Sequence, residues 1–167
     1  KTTQFFKDKK IPSARLDAEI LLSHGLNLKN RMDLYLKFDQ PVGDVELSVC
    51  RELVRRRSLH EPVAYIVGTK GFYNHVFKVT PAVLIPRPET ELLVEQAFEW
   101  LEKNKITKPN ILDLGCGSGC IGLSVLAKYP EGNLTMVDIS AEALVVAKEN
   151  AEQFNLSNIH WIQADAG

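Results

Sequence analysis

Cysteine is scarce in this chain, with three residues in 167. An odd, sparse set argues against a disulfide framework and fits a reducing compartment, so a cytoplasmic location is expected. No apolar run approaches the ~20 residues that cross a bilayer, and no secretory leader is visible. No membrane association is expected. An excess of one charge sign is missing too. Lys and Arg total 20 against 21 Asp and Glu, a net charge of −1, so nothing draws the chain as a whole to nucleic acid or to anionic lipid. Internal repeats and low-complexity segments are absent. Arg51, Arg55, Arg56 and Arg57 form the one basic cluster, which reads as a solvated helix face. The length suits one full domain or two small ones.

What is present changes character along the chain. The first sixty or so positions read as a small helical bundle. Pro12-Ser13 is a helix start with Ser13 as N-cap, and Leu16, Ile20, Leu21 and His24 share a face before Gly25 stops it. A short helix is expected over Arg31 to Leu36. A third is capped by Asp44 and carries Val45, Val49 and Leu53 at every fourth position. Such a bundle is too small to stand comfortably alone.

From Gly68 to Ile85 the residues are aromatic and β-branched, with Asn74 as a turn between two runs, so a β-hairpin is expected. Pro81, Pro86 and Pro88 force an extended path, and Pro88 can open a helix whose positive end suits Glu89 and Glu91. Leu93, Ala97 and Leu101 are its expected buried stripe, with Val94 and Phe98 beside it. From Asn110 onward strands alternate with helices: strands at 111–114, 134–137 and 160–163, helices at 121–128 and 141–154. That spacing implies βαβ crossovers and a parallel sheet. The expected organisation is a helical domain over 1–66, a hairpin linker over 67–87, and an α/β, Rossmann-like domain over 88–167.

The segment with the most chemistry in it is Ile111-Leu112-Asp113-Leu114-Gly115-Cys116-Gly117-Ser118-Gly119. A strand ending in an acid runs into a turn with three glycines, where a Cβ would clash or forbid the dihedrals that bring backbone close to a ligand. The helix that follows is expected to aim its free N–H groups at that ligand. Gly117-x-Gly119-x-x-Gly122 also matches the dinucleotide fingerprint, which alone is weak evidence. Asp113 argues against a dinucleotide, because it would repel a pyrophosphate and welcome a cationic methionine moiety. S-adenosylmethionine is therefore the expected cofactor, and the chain reads as part of a methyltransferase. A glycine-rich turn without a ligand is the alternative. Asp138 closes the next strand, at the sheet edge where ligands bind in open α/β folds, and is expected to accept the ribose hydroxyls, with helix capping, which Ser140 could supply instead, as the rival reading. Asp165 follows the third strand at the same edge and can accept from the adenine amino group, with turn capping as its rival. Cys116 and Cys120 flank the loop without a nearby histidine, so both read as small buried residues and no metal site is expected.

Four segments together resemble the release-factor glutamine methyltransferases of the HemK type. They are Ala14-Arg15-Leu16-Asp17-Ala18-Glu19-Ile20-Leu21-Leu22, Glu61-Pro62-Val63-Ala64-Tyr65-Ile66-Val67-Gly68, Leu84-Ile85-Pro86-Arg87-Pro88-Glu89-Thr90-Glu91 and Asp113 to Gly119. The glycine loop is common to many methyltransferases; the other three are narrower. The resemblance spans nearly the whole chain, from about Ser13 to Gly167. It implies methyl transfer to the side-chain amide of the glutamine in the Gly-Gly-Gln motif of peptide-chain release factors. It implies that the helical domain helps to hold the release factor. Asp113, Gly115, Cys116, Gly117, Ser118 and Gly119 would bind the methionine end of the cofactor, Asp138 its ribose, and Asp165 with Ala166 its adenine. Leu84 and Arg87 would border the active site. An amide nitrogen is a poor nucleophile, so catalysis must come from positioning and hydrogen bonds. The family supplies these with an Asn-Pro-Pro-Tyr motif after its fourth strand. That motif is expected beyond Gly167, so the catalytic residues are unassigned and the chain is expected to be a piece of a longer protein. A nucleic-acid amino methyltransferase and a non-catalytic, release-factor-binding fragment are the competing readings, and a monomer is expected.

Overall fold

The computed structural model describes residues 1–165 and folds as two compact units that divide between Val67 and Gly68. The first unit is helical: α1 Thr2–Asp8, α2 Ala14–Gly25, α3 Asp33–Leu36, α4 Asp44–Ser58 and α5 Val63–Val67. Its core gathers Phe6, Ile11, Ala14, Ala18, Leu21, Leu53 and Ile66.

Several sequence expectations for this unit need correction. Ser13 precedes α2, but its side chain makes no capping bond. The buried face of α2 is Ala14, Asp17, Ala18 and Leu21, while Leu16 is 46 % exposed and His24 is also exposed. On α4 the buried residues are Cys50 and Leu53, whereas Val45 is 79 % exposed. A Cβ added at Gly25 would lie 2.7 Å from Cys50 Sγ and 3.1 Å from Leu53 Cδ1. The absence of a side chain at Gly25 lets α2 and α4 approach at Cys50 and Leu53. Gly25 itself ends α2 by packing, not by left-handed geometry, because it is Asn27 that takes a φ of 50°. The N-terminus of α4 is capped by Glu46, whose Oε2 accepts from the Gly43 N–H at 2.9 Å. Arg57 is not on a solvated face. Its Nε donates to Asp17 Oδ2 at 2.7 Å, and the two side chains keep only 13 % and 7 % of their exposure. Arg56 pairs with Glu61 and Arg55 with Glu52, which leaves little of a free basic patch.

The second unit starts with a hairpin. β1 Thr69–Phe72 and β2 His75–Lys78 pair antiparallel, Phe72 opposite His75. The two residues between them, Tyr73 and Asn74, have φ of 46° and 30°, which is the sign pattern of a type I′ turn. A 3₁₀ turn over Pro88–Thr90 leads into α6 Glu91–Lys103. Val94, Phe98 and Leu101 are its buried residues, and Leu93 is 53 % exposed, so the stripe lies one position further round than expected. Then follow β3 Asn110–Leu114, α7 Cys120–Lys128, β4 Asn133–Asp138, α8 Ala141–Glu152 and β5 Ile159–Gln163. The strands form one parallel sheet in the order β3-β4-β5, with Leu114 opposite Val137 and Asp138 opposite Gln163. Parallel neighbours need crossovers, and α7 and α8 supply them. The core is built from Leu123, Leu126, Leu134, Met136 and Ala147 around Phe72, Phe77 and Phe98. Ser140 caps α8 by accepting from the Ala143 N–H at 3.1 Å. Among the described residues no helix is long and apolar enough to cross a membrane.

Candidate functional site

The sheet brings the sequence-marked acids to one edge. Asp113 is the penultimate residue of β3, Asp138 the last of β4, and Asp165 lies two positions beyond β5. Because the strands are parallel, their carboxyl ends coincide, and the glycine loop from Gly115 to Gly119 springs from the same place. Ala166, expected at the adenine, and Gly167, beyond which the catalytic motif is expected, both lie outside the described residues. The structure therefore assigns no catalytic residue. Leu84 is 72 % exposed and Arg87 is exposed in an extended conformation, φ −98° and ψ 142°. Among the described residues Arg87 makes no ion pair.

The loop is pinned by its own donors. Gly115 and Cys116 N–H both donate to Val137 O, at 2.8 and 3.0 Å, so the chain continues to pair with β4 after β3 ends. Gly117 N–H donates to Asp138 Oδ2 at 2.8 Å, and Gly119 N–H to Cys116 O at 2.8 Å. In the first turn of α7 the Gly122 N–H donates to Asp113 Oδ2 at 2.9 Å. Gly115, Gly117 and Gly119 take φ of 70°, 54° and 79°, which glycine alone adopts without strain. The N–H groups of Gly115, Cys116, Gly117 and Gly119 in the loop, and of Gly122 in the helix, thus donate to the protein's own oxygens. A phosphate needs converging N–H donors. Here five of them donate to Val137, Asp138, Cys116 and Asp113, and the Asp138 carboxylate at the same sheet edge suits a cation better than a phosphate.

The charges agree. Asp113 is buried, and that burial, then the negative charge of Asp138, pushes its carboxyl above the usual range, while the Gly122 N–H works in the opposite direction. Two neighbouring carboxyl groups at this edge would disfavour a pyrophosphate and favour an ammonium or sulfonium. One Asp138 oxygen holds Gly117 and the other accepts from the Ser140 N–H at 3.0 Å. Each keeps lone-pair capacity for a hydroxyl. The dinucleotide-like third glycine has a packing explanation. A Cβ at Gly122 would meet Asp113 Oδ2 at 2.8 Å and Leu134 Cδ1 at 2.9 Å, so glycine is required for α7 to lie against β3 and β4.

Cys116 and Cys120 are buried and free. Burial first, then the Asp113 charge, pushes the Cys116 thiol up to about 12; burial raises Cys120 to about 11. The thiolate is the reactive form. Both are expected to react with iodoacetamide at pH 8 at least about 100-fold more slowly than a free thiol, as followed by intact mass. Labelling at the free-thiol rate would contradict this burial. Among the described residues no group of three or more His, Cys, Asp and Glu can hold a metal ion. Sequence reasoning missed Asn150, a fully buried amide in α8 whose side chain bonds Ser118 of the loop; nothing in the helix pattern marks it.

This fold and loop define a methyltransferase domain that follows a helical one along the chain. A PrmC N-terminal domain model matches residues 1–68, and a methyltransferase small domain model matches 88–167. A release factor glutamine methyltransferase from Leptospira interrogans is 47 % identical over 99 % of this chain and 58 % of its own length. Its namesake in Chlorobaculum tepidum is 44 % identical over 99 % of this chain and 57 % of its length. That of Rhodopirellula baltica is 42 % identical over 98 % and 56 %. Over nearly all of its length the chain is similar to release factor glutamine methyltransferases. It spans a little over half the length of these curated relatives.

Proposed function

We propose that this chain holds S-adenosylmethionine at its glycine loop and serves methyl transfer to the side-chain amide of the Gly-Gly-Gln glutamine in peptide-chain release factors. The observation that carries the cofactor reading is the inward commitment of the Gly115, Cys116, Gly117 and Gly119 N–H groups, with the Asp138 carboxylate at the same sheet edge and Asp113 buried behind the loop. The names of the relatives support the acceptor. S-adenosylmethionine, when bound, supplies an electrophilic methyl group on a sulfonium.

The chain's own residues bind and orient. The loop from Gly115 to Gly119, including Cys116, Gly117 and Ser118, shapes the methionine end, and Asp113 contributes negative potential beneath it. Asp138 accepts the ribose hydroxyls while it fixes Gly117 and Ser140. Asp165 and Ala166 line the adenine. Leu84 and Arg87, exposed just ahead of α6, border the acceptor. The helical unit offers a groove of about 690 Å³ that includes Leu22, Leu34, Tyr35, Phe38 and Val42, suited to an apolar surface of the release factor. An expected monomer needs no further surface.

Asp138→Ala removes the ribose acceptor and unpins Gly117 together. S-adenosylhomocysteine affinity by calorimetry is expected to fall at least about 100-fold, the loss of two charge-assisted bonds. Unchanged affinity contradicts the ribose assignment. For the acceptor, labelled methyl is expected to enter a purified release factor and to be lost when its Gly-Gly-Gln glutamine is replaced by alanine. Labelling of naked RNA at a matching rate would favour the nucleic-acid reading instead.

A further inference from the structure

Asn150 sits inside α8, 2 % exposed, and its amide group is bonded on both sides. Its Nδ2 donates to Ser118 O at 2.9 Å and to Lys78 O at 3.0 Å; its Oδ1 accepts from the Lys78 N–H at 2.6 Å. The orientation of the amide is fixed by this set, because a flipped group would put oxygen against two carbonyls. The two partners belong to different parts of the unit. Ser118 is in the glycine loop. Lys78 is the last residue of β2, and from it the chain runs through buried Val79 and Val83 to Leu84 and Arg87.

The bond to Ser118 has a specific geometric effect. The Ser118–Gly119 peptide is held at its carbonyl by Asn150 and at its N–H by Cys116 O at 2.8 Å. Its plane cannot rotate without breaking one of them. Gly119 has a φ of 79°, where glycine has alternatives of similar energy, so the loop backbone does not hold this conformation by itself. At Lys78 the same amide satisfies both backbone groups as a further strand would, and so stops β2 from sliding along α8.

We infer that Asn150 is a positioning residue: one buried amide locks the peptide plane of the glycine loop and ties it to the hairpin strand that leads to Leu84 and Arg87. The loop and the Leu84–Arg87 segment then hold one register, and a disturbance at either is felt at the other. This rests on the cofactor reading of the loop, and concerns α8, which carries none of the residues assigned to the ligand.

The test compares Asn150→Ala with Phe154→Leu. Phe154 packs on Phe77 at 5.8 Å and His75 at 4.8 Å between ring centroids, so its variant loosens the hairpin without touching the loop. Amide hydrogen exchange at Ser118–Gly119 and at Lys78–Val79 is measured, together with S-adenosylhomocysteine affinity and thermal stability. Asn150→Ala is expected to speed exchange at both places and to weaken binding about tenfold, the scale of one lost buried bond. Phe154→Leu is expected to lower the melting temperature yet leave affinity within about twofold. Asn150→Ser is expected to show the same pattern and stands in should the alanine variant fail to fold. Wild-type affinity in an Asn150 variant, or equal losses in Asn150 and Phe154 variants, would overturn the inference. If the unaltered chain itself binds no S-adenosylhomocysteine, the cofactor reading has failed, and the exchange rates alone decide the coupling.

Discussion

Gly119→Ala is expected to destabilise the second unit by about 3 kcal/mol and to abolish measurable S-adenosylhomocysteine binding. Two effects add. The backbone there has a φ of 79°, and a Cβ in that left-handed region costs about 1–2 kcal/mol. The new methyl would also lie 2.8 Å from Met136 Cε and 2.9 Å from Leu123 Cδ1, both fully buried, and overpacking a filled core costs about 1–3 kcal/mol. Gly115→Ala is the internal comparison. Its φ is 70°, yet a Cβ would meet nothing within 4 Å, so only the dihedral cost of about 1 kcal/mol remains. Denaturant titration of the pair separates the terms. Equal losses would mean that the contact of Gly119 with the core is not what requires glycine.

In the helical unit the largest expected effect is at Arg57. Arg57→Ala leaves Asp17 with 7 % side-chain exposure and without its guanidinium, and strands the Glu61 carbonyl that Arg57 Nη1 reaches at 3.1 Å. Removing one partner of a buried pair costs about 3–5 kcal/mol because the other charge stays behind. A loss near 3 kcal/mol is expected, at the low end because neither group is wholly sequestered. The pair Arg57→Met with Asp17→Leu is expected to recover most of it. If the single variant loses under about 0.5 kcal/mol by urea unfolding, the bridge behaves as a surface ion pair and the reading of the α2–α4 contact is wrong.

The strands and helices around the loop were legible because a parallel sheet writes itself plainly. Apolar runs end in an acid or a glycine, and the spacing between them leaves room for one helix. The sequence placed strands at 111–114, 134–137 and 160–163; the structure has Asn110–Leu114, Asn133–Asp138 and Ile159–Gln163. Helix faces were read less well. Leu16, Val45 and Leu93 fit a helical period yet are exposed, while Ala18 and Leu21, Cys50 and Leu53, and Val94 and Phe98 on the same helices bury instead. Periodicity finds a stripe; it does not choose between adjacent stripes when both carry apolar residues.

The chemistry of the site divides in the same manner. The acids at strand ends are a local signal, and the structure brings them to one edge. The use of the loop N–H groups is not local. Which of them remain for a ligand depends on Val137 and Asp138, more than twenty positions on. Arg57 looked like one of four solvated arginines because its partner Asp17 is forty positions away. Asn150 was invisible for the same reason: its partners lie 32 and 72 positions away, and an asparagine within a helix carries no sign of what it bonds.

Calorimetric titration of the chain with S-adenosylhomocysteine and, separately, with NAD tests the cofactor site most directly. A loop whose N–H groups at Gly115, Cys116, Gly117 and Gly119 are turned inward and whose edge carries Asp138 is expected to bind S-adenosylhomocysteine at one site, with affinity lost in Asp138→Ala, and to show no heat with NAD. Binding of NAD in preference to S-adenosylhomocysteine would contradict the account, since it would mean that a pyrophosphate finds donors in a loop that directs them inward.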